Sequence, residues 1–383
     1  MKNSYFYTDQ QEPKTLIVTI HAPYNKTANI ESYFAEFHNL VRTNGNQYEC
    51  EYSLKLRTID PSYFITKGKL HELKELVDEH QIEHVIFSET LSSQQERNLT
   101  DYLDCTICDR TRLILEIFEK SAHSGEGKMQ VEIAKLQYEK TRLAGKGIYM
   151  SQQSGVLGMR GGFGETLKER EKRHIEKTID GLKKQLKKLE QIRETQRKRR
   201  LNNQVSQICL IGYTNAGKST ILNALTNADV LAEDKLFATL DTTTRKLFVN
   251  GKEKGVISDT VGFIQQLPPH LIEAFKSTLS ELNYADLLLH IIDASDPSWQ
   301  LHIKVVNAIL EDLGVNKPML YVFNKCDKVE NFELLKTEAS PYQPYVMVDA
   351  LSKQGLHFLI EYLDQWHANG KAVTVPKAVI ARN

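Results

Sequence analysis

The chain has 383 residues, room for two or three domains, and its 49 Lys and Arg balance 49 Asp and Glu, so bulk charge argues for no class of partner. No uncharged apolar run is long enough to cross a bilayer. Met1-Lys2-Asn3-Ser4-Tyr5 lacks the apolar core of a signal peptide, and five cysteines fit a reducing compartment, so a cytoplasmic location is expected.

The first segment, residues 1–120, alternates strand and helix signals. Thr15 to Ile20 reads as a strand, and residues 30–41 read as a helix with Tyr33, Phe34, Phe37 and Leu40 at helical spacing. A second helix runs from Lys69 to His80, with Leu70, Leu73, Leu76 and Val77 on one face. A strand at His84–Phe87 and a helix from Ser92 to Leu103 follow. This order predicts a small α/β domain with parallel pairing. The turn Thr66-Lys67-Gly68-Lys69 opens a helix and reads as a solvated connection before it reads as an anion holder. Cys105 and Cys108 form a lone C-x-x-C pair, too few thiols for a four-ligand zinc site, so structural cysteines are expected.

Residues 121–201 look helical at both ends. Met129, Ile133, Leu136 and Leu143 mark one helix, and Ile175, Ile179, Leu182, Leu186 and Leu189 mark a longer one with a heptad-like stripe. The two predict a helical hairpin arm. Between them, from Ser151 to Thr166, lie Gly155, Gly158, Gly161, Gly162 and Gly164 with Arg160, a glycine density expected to forbid a stable helix. From Arg160 to Arg200 there are 15 Lys and Arg against seven Asp and Glu, ending in Arg197-Lys198-Arg199-Arg200. A basic arm with a Gly/Arg tip on a neutral chain reads as a contact to phosphate-rich RNA; the plainer reading is a solvated helix, which would need more acidic partners.

Residues 202–369 carry the chemistry. The strand Gln207-Ile208-Cys209-Leu210-Ile211 leads through Gly212-Tyr213-Thr214-Asn215-Ala216-Gly217-Lys218-Ser219 into the helical pattern Thr220 to Leu225. This is G-x-x-x-x-G-K-[ST] in strand–loop–helix context, the arrangement in which backbone N–H groups and a helix N-terminus surround phosphates. Lys218 supplies a point charge for the β- and γ-phosphates and the Ser219 hydroxyl can ligate Mg²⁺. Next, Asp259-Thr260-Val261-Gly262 ends a strand. Its carboxylate can hold Mg²⁺ through a water, and Gly262 lets a backbone N–H approach the γ-phosphate. An apolar strand from Met319 ends in Asn324-Lys325-Cys326-Asp327. A carboxylate at Asp327 can accept from both guanine N1–H and the exocyclic amine, and adenine would leave it unpaired. Asp349-Ala350-Leu351 sits where GTPases carry S-A-[KL]; Asp349 departs from that serine, so a backbone role is expected there. Helices are expected at His270–Leu282, Ser298–Leu313 and Leu356–His367. With the continuously apolar strand Asp286–Asp293 they predict a doubly wound, mostly parallel sheet with its ligand at the strand carboxyl ends. Residues 370–383 read as a tail.

Between the first two motifs, Leu236-Phe237-Ala238-Thr239-Leu240-Asp241-Thr242-Thr243-Thr244-Arg245 offers four threonines for the Mg²⁺- and γ-phosphate-binding role of a switch I segment, and spacing does not choose among them. Thr242 to Thr244 suit a helix N-cap equally. Phe263 follows Gly262 where Ras-type GTPases carry a water-orienting glutamine, so the isolated chain is expected to hydrolyse slowly. Asn215 either helps seat a monovalent cation such as K⁺ beside the phosphates or forms a local Asx turn.

With these motifs placed, the chain resembles the HflX family of ribosome-associated GTPases over nearly its whole length. Gly212 to Ser219, Phe237-Ala238-Thr239-Leu240-Asp241, Asp259 to Phe263 and Asn324 to Asp327 carry the resemblance, as do Arg110 to Phe118 and Glu194-Thr195-Gln196-Arg197 outside the G domain. It implies a P-loop GTPase domain preceded by a small α/β domain and a helical arm, and it makes Thr239 the Mg²⁺-binding switch I threonine. Lys218, Thr239 and Gly262 become the catalytic set. It also implies binding to the large ribosomal subunit and its RNA, ribosome-stimulated hydrolysis, and splitting or rescue of stalled ribosomes. The alternative is a GTP-dependent factor acting on ribosome precursors or free RNA. A monomer is expected. The chain departs from the family's usual pattern in its glycine loop, at Thr66 before Lys67-Gly68-Lys69, and at Thr242 after Asp241.

Overall fold

A computed structural model describes residues 13–25, 29–143, 163–202, 205–226, 235–240, 243–266, 268, 271, 279–352 and 354–366. The Gly/Arg segment 151–162, Asp241, Thr242, most of the helix expected over His270–Leu282, and the C-terminal tail lie outside the described residues. The chain gathers into two compact units, Met1–Glu116 with Thr141–Glu169, and Ile117–Lys140 with Arg170–Asn383. No helix among the described residues is long and apolar enough to cross a membrane.

The first unit is built on a four-stranded parallel sheet from β1 (Thr15–His21), β2 (Cys50–Lys55), β3 (His84–Phe87) and β4 (Thr106–Cys108), in the order β2-β1-β3-β4. Helices α1 (Ile30–Thr43), α2 (Lys67–His80) and α3 (Ser93–Leu103) connect them. Strand β1 is apolar and buried along its length, as a central parallel strand covered on both faces must be. Leu16, Val18 and Ile20 share a core with Leu70, Leu73 and Val77 of α2 and Leu99 and Leu103 of α3. Asn29 caps α1 by accepting from the Ser32 N–H at 3.1 Å, and Ser92 with Gln95 forms a reciprocal capping box on α3. Strand β2 escapes the periodicity reading because it is a sheet edge: its side chains are mostly exposed or half-buried, so hydrophobic alternation is weak. Cys105 and Cys108 are buried thiols, and burial pushes Cys105 up to about 11 and Cys108 further in the same direction, away from reactive thiolates.

A long helix α4 (Arg110–Ser121) follows, then α5 (Gly125–Leu143) and α6 (Phe163–Asn202). Ile175 and Ile179 are buried and Leu182, Leu186 and Leu189 half-buried, which confirms the stripe. Lys140 pairs with Glu176 at 2.8 Å, and Arg193 with Glu126 at 2.9 Å. The end of α5 thus meets the start of α6 and the reverse, so the two helices run antiparallel as a hairpin. Helix α6 begins at Phe163, so Gly164 to Thr166 are helical where the glycine count argued for an irregular tip. A single glycine in a helix costs only about 1 kcal/mol, which forty residues of helix absorb.

The second unit's sheet comprises β5 (Gln207–Gly212), β6 (Thr243–Val249), β7 (Lys252–Asp259), β8 (Leu287–Asp293), β9 (Met319–Asn324) and β10 (Tyr345–Met347), ordered β10-β9-β8-β5-β7-β6. Only β6 runs antiparallel. Helices α7 (Lys218–Thr226) and α10 (His357–Gln365) cover one face with Ile221, Leu222, Leu359 and Leu363. The other face packs Trp299 and Ile303 of α8 (Trp299–Asp312) and Leu335 of α9 (Phe332–Ala339) on Ile292 and Phe323. Thr243 and Thr244 start strand β6, so the N-cap reading of these two is replaced by an antiparallel register, Thr243 opposite Asp259. The chain leaves β5 in opposite directions on its two sides, and the crevice at the β5 carboxyl end is the topological switch point where doubly wound sheets bind ligands.

In the first unit, Arg110 is fully buried, donates to Glu36 and lies 4.8 Å from the centroid of the Tyr33 ring. Removing one partner of such a pair leaves a buried charge unpaired. Arg110→Ala is expected to lower unfolding free energy by about 3–5 kcal/mol in urea titrations, while Arg110→Met with Glu36→Leu recovers most of the loss.

Candidate functional site

The loop Gly212 to Ser219 sits at the β5 carboxyl end, where register brings Leu210 opposite Asp259 and Asp293 opposite Asn324. Three motifs far apart in sequence therefore share one rim. The loop turns through Asn215 (φ +61°) and Gly217 (φ +94°). A Cβ at Gly217 would come within 2.3 Å of Asn324 Nδ2, so only glycine permits this approach. Asn324 donates from Nδ2 to the Ala216 carbonyl at 2.9 Å and accepts from the Ala350 N–H at 3.1 Å, tying three loops together. Lys325 donates to the Asn215 carbonyl at 2.9 Å and pairs with Asp293 at 2.7 Å. Asp327 stands exposed beyond this brace. The Cys326 thiol donates to the Phe323 carbonyl at 3.2 Å, and burial pushes its pKa up to about 12. Asp349 turns its carboxylate to its own loop, accepting from Leu351 N–H at 2.9 Å, as expected for a residue acting through its backbone.

Lys218 is 6% exposed and donates to the carbonyls of Gly212 and Tyr213 at 3.3 and 2.8 Å. Burial lowers its pKa to about 8 against the opposing pull of Asp259. Asp259 is itself held above the usual carboxylate range by burial, which outweighs the Lys218 charge and the hydrogen bond from Ser219. The Ser219 hydroxyl lies 2.6 Å from Asp259 Oδ2 and 2.7 Å from Thr239 Oγ1. Of the described threonines in this stretch, Thr239 is the one brought to Ser219, while Thr244 bonds Ser258 at 2.8 Å. Asp259 Oδ1 is buried with no hydrogen-bond partner among the described residues. Two hydroxyls and an incompletely satisfied carboxylate make an oxygen-only donor set, which suits a small hard cation.

Thr260 is anchored by donating to the Leu210 carbonyl at 2.7 Å, and Val261 is buried beside it. A Cβ at Gly262 would come within 2.8 Å of the Thr214 Cα and 2.9 Å of Lys218 Nζ, so the backbone there is pressed against the phosphate loop. Phe263 pairs with that loop through its backbone: its N–H donates to Gly212 O at 3.1 Å and its carbonyl accepts from Thr214 N–H at 2.8 Å. Its ring is buried and has no group that could hydrogen-bond a water. Thr214, Asn215, Gly217, Lys218, Ser219, Phe237, Ala238, Thr239 and Gly262 line an open cleft. Leu240 is buried behind it.

Sequence reasoning missed two members of this neighbourhood. The Tyr213 ring stacks on His302 of α8, centroids 3.8 Å apart and 11° from parallel, while its hydroxyl accepts from the Gln265 N–H at 2.8 Å. His290 is buried in β8, and burial, with the Lys218 charge, pushes it down to about 3, so it is neutral at physiological pH. A histidine inside the apolar run Leu287–Ile292 was the available signal.

Family models match three consecutive stretches: one described as GTP-binding GTPase N-terminal at residues 31–119, GTP-binding GTPase Middle Region at 121–200, and 50S ribosome-binding GTPase at 207–325. The chain is 43% identical over 356 residues to GTPase HflX of Caldanaerobacter subterraneus subsp. tengcongensis, covering 93% of this chain and 80% of that protein. It is 40% identical over 326 residues to GTPase HflX of Escherichia coli, covering 85% and 76%. Among solved structures, SsGBP in complex with GDP is similar with a TM-score of 0.50 and 25% identity, covering 91% of this chain and 96% of that one.

Lys218→Met should abolish GTP hydrolysis yet stabilise the nucleotide-free protein at pH 7. A folded-state pKa near 8 against 10.5 unfolded means the unfolded chain binds more protons in that window, so wild-type stability rises with pH between those values. Chemical denaturation from pH 7 to 10 is expected to show a wild-type deficit of a few kcal/mol relative to Lys218→Met that closes as pH climbs.

Proposed function

This chain belongs to the GTPase HflX family, and we propose that it is a Mg²⁺-dependent GTPase switch activated on the large ribosomal subunit. The convergence of the Ser219 and Thr239 hydroxyls on Asp259, beside the buried Lys218 ammonium, carries the nucleotide half of this reading. Ser219 and Thr239 would hold Mg²⁺ directly and Asp259 through a water; the ion, when bound, neutralises charge on the β- and γ-phosphates. Lys218 receives the phosphate charge its own surroundings leave largely unanswered. The N–H of Gly262 would serve the γ-phosphate. Asp327 reads guanine, with Asn324 and Lys325 holding its loop against the phosphate loop and Ala350 and Leu351 closing the base pocket through their backbone. Asn215, exposed at the loop's left-handed turn, would help seat K⁺ beside the phosphates, in the role of an arginine finger.

With Phe263 buried, no side chain directly after Gly262 orients the attacking water. Slow intrinsic hydrolysis and stimulation by a partner follow from that. The arm supports ribosomal RNA as the partner: Lys172, Arg173, Lys177, Lys183, Lys184, Lys187 and Lys188 are exposed along α6. Splitting or rescue of stalled ribosomes is the role this reading assigns.

Purified large subunits are expected to raise the hydrolysis rate by at least about tenfold, and Lys183, Lys184, Lys187 and Lys188 changed together to Gln should weaken subunit binding and its salt dependence with GDP affinity unchanged. Sedimentation with a non-hydrolysable GTP analogue checks the partner. Co-migration with mature large subunits fits the proposal, and association only with precursor particles or free RNA replaces it with an assembly role.

A further inference from the structure

The segment that delivers Thr239 to Ser219 is fixed by an unusual residue. Phe237 has φ +58°, a left-handed conformation that a bulky side chain keeps only when its surroundings over-determine it. Its ring is 2% exposed and meets Phe118 edge-to-face, centroids 4.6 Å apart at 81°. This is the geometry aromatic quadrupoles favour, so it constrains orientation as well as burying area. Phe118 is 1% exposed and belongs to α4, upstream of the hairpin and outside the 207–325 segment that holds Gly212 to Ser219, Thr239 and Asp259 to Gly262. Leu236 and Leu240 are buried on either side. Two residues beyond Phe237, the Thr239 hydroxyl lies 2.7 Å from that of Ser219.

We propose that Phe118 is a positioning residue for GTP hydrolysis: by seating Phe237 it sets where the Thr239 hydroxyl stands, so a side chain from outside the nucleotide-binding domain controls its switch I. The chain between the Phe237 Cα and the threonine is too short to absorb a displaced ring without moving the hydroxyl. Whatever shifts the end of α4 would therefore withdraw Thr239 from Ser219 and slow the reaction without touching the nucleotide. The inference rests on the reading of Thr239 as the switch I threonine, and deepens it.

The test uses the full chain with Phe118→Leu, Phe237→Leu, the double variant and Thr239→Ala, with Phe118→Met carrying the test should the leucine variant melt below assay temperature. Single-turnover hydrolysis at saturating GTP is titrated with Mg²⁺, and GDP affinity and melting temperature are measured beside it. Each leucine variant is expected to hydrolyse about tenfold more slowly and to require more Mg²⁺ for half its maximal rate, with GDP affinity held within about twofold. The double variant should be no slower than the slower single one, since both act through one contact. A purely structural contact would lower the melting temperature and leave the Mg²⁺ dependence alone. Wild-type rate and Mg²⁺ dependence in the Phe118 variants, with Thr239→Ala inactive, would overturn the proposal; an active Thr239→Ala would overturn the reading of Thr239 beneath it and the proposal with it.

Discussion

The burial of the Lys218 ammonium is the constraint on which the second unit depends. Its hydrogen bonds are to backbone carbonyls, the carboxylate that pulls on it is itself held above the usual carboxylate range by burial, and its own pKa falls to about 8. At pH 7 the empty loop carries this charge at a cost in stability, which an added anionic field offsets. A triphosphate does so, and binding it stabilises the folded chain in proportion to how poorly the empty loop satisfies the ammonium. The loop is accordingly braced from three sides: by Asn324 and Lys325, by the backbone of Phe263, and by the Tyr213 ring against His302. Such bracing keeps the donors in place before the ligand arrives, so little reorganisation accompanies binding.

Much of this was legible in the chain because the motifs are local. Gly212 to Ser219 needs only a strand before it and a helix after it, and both are plain in the hydrophobic pattern. Asn324 to Asp327 ends an apolar strand in the same way, and the stripe from Ile175 to Leu189 declares its hairpin. What was not legible depends on contacts between residues distant in sequence. Strand β2 lies at an edge, where neither face is strongly apolar. Thr243 and Thr244 looked like capping residues because their side chains allow it, and pairing with β7, which no local pattern encodes, made them a strand. The same holds for Tyr213 on His302 and for Phe237 on Phe118: each aromatic reads locally as ordinary core, and only the fold shows what it touches. Resemblance to a family singled out Thr239, and among the described threonines of that segment it is the one whose hydroxyl lies beside that of Ser219.

The two ends of the chain contribute differently. The first unit is a complete parallel α/β layer with a buried ion pair of its own, Arg110 with Glu36, while α4 carries on to place Phe118 beside the switch segment. Within the second unit, Arg193 on α6 pairs with Glu281 at 3.5 Å as well as with Glu126. A buried phenylalanine stands directly after Gly262, and its ring offers no hydrogen bond to a water.

Selective binding of a guanine nucleotide is the property that Lys218, gripping phosphate, and Asp327, reading the base, must together produce. Calorimetric titration of the full chain with GDP and with ADP under the same Mg²⁺ and salt conditions tests this most directly. Guanine's two donors satisfy the Asp327 carboxylate and adenine's do not, so GDP is expected to bind at least about a hundredfold more tightly. Equal affinities for the two would contradict the account.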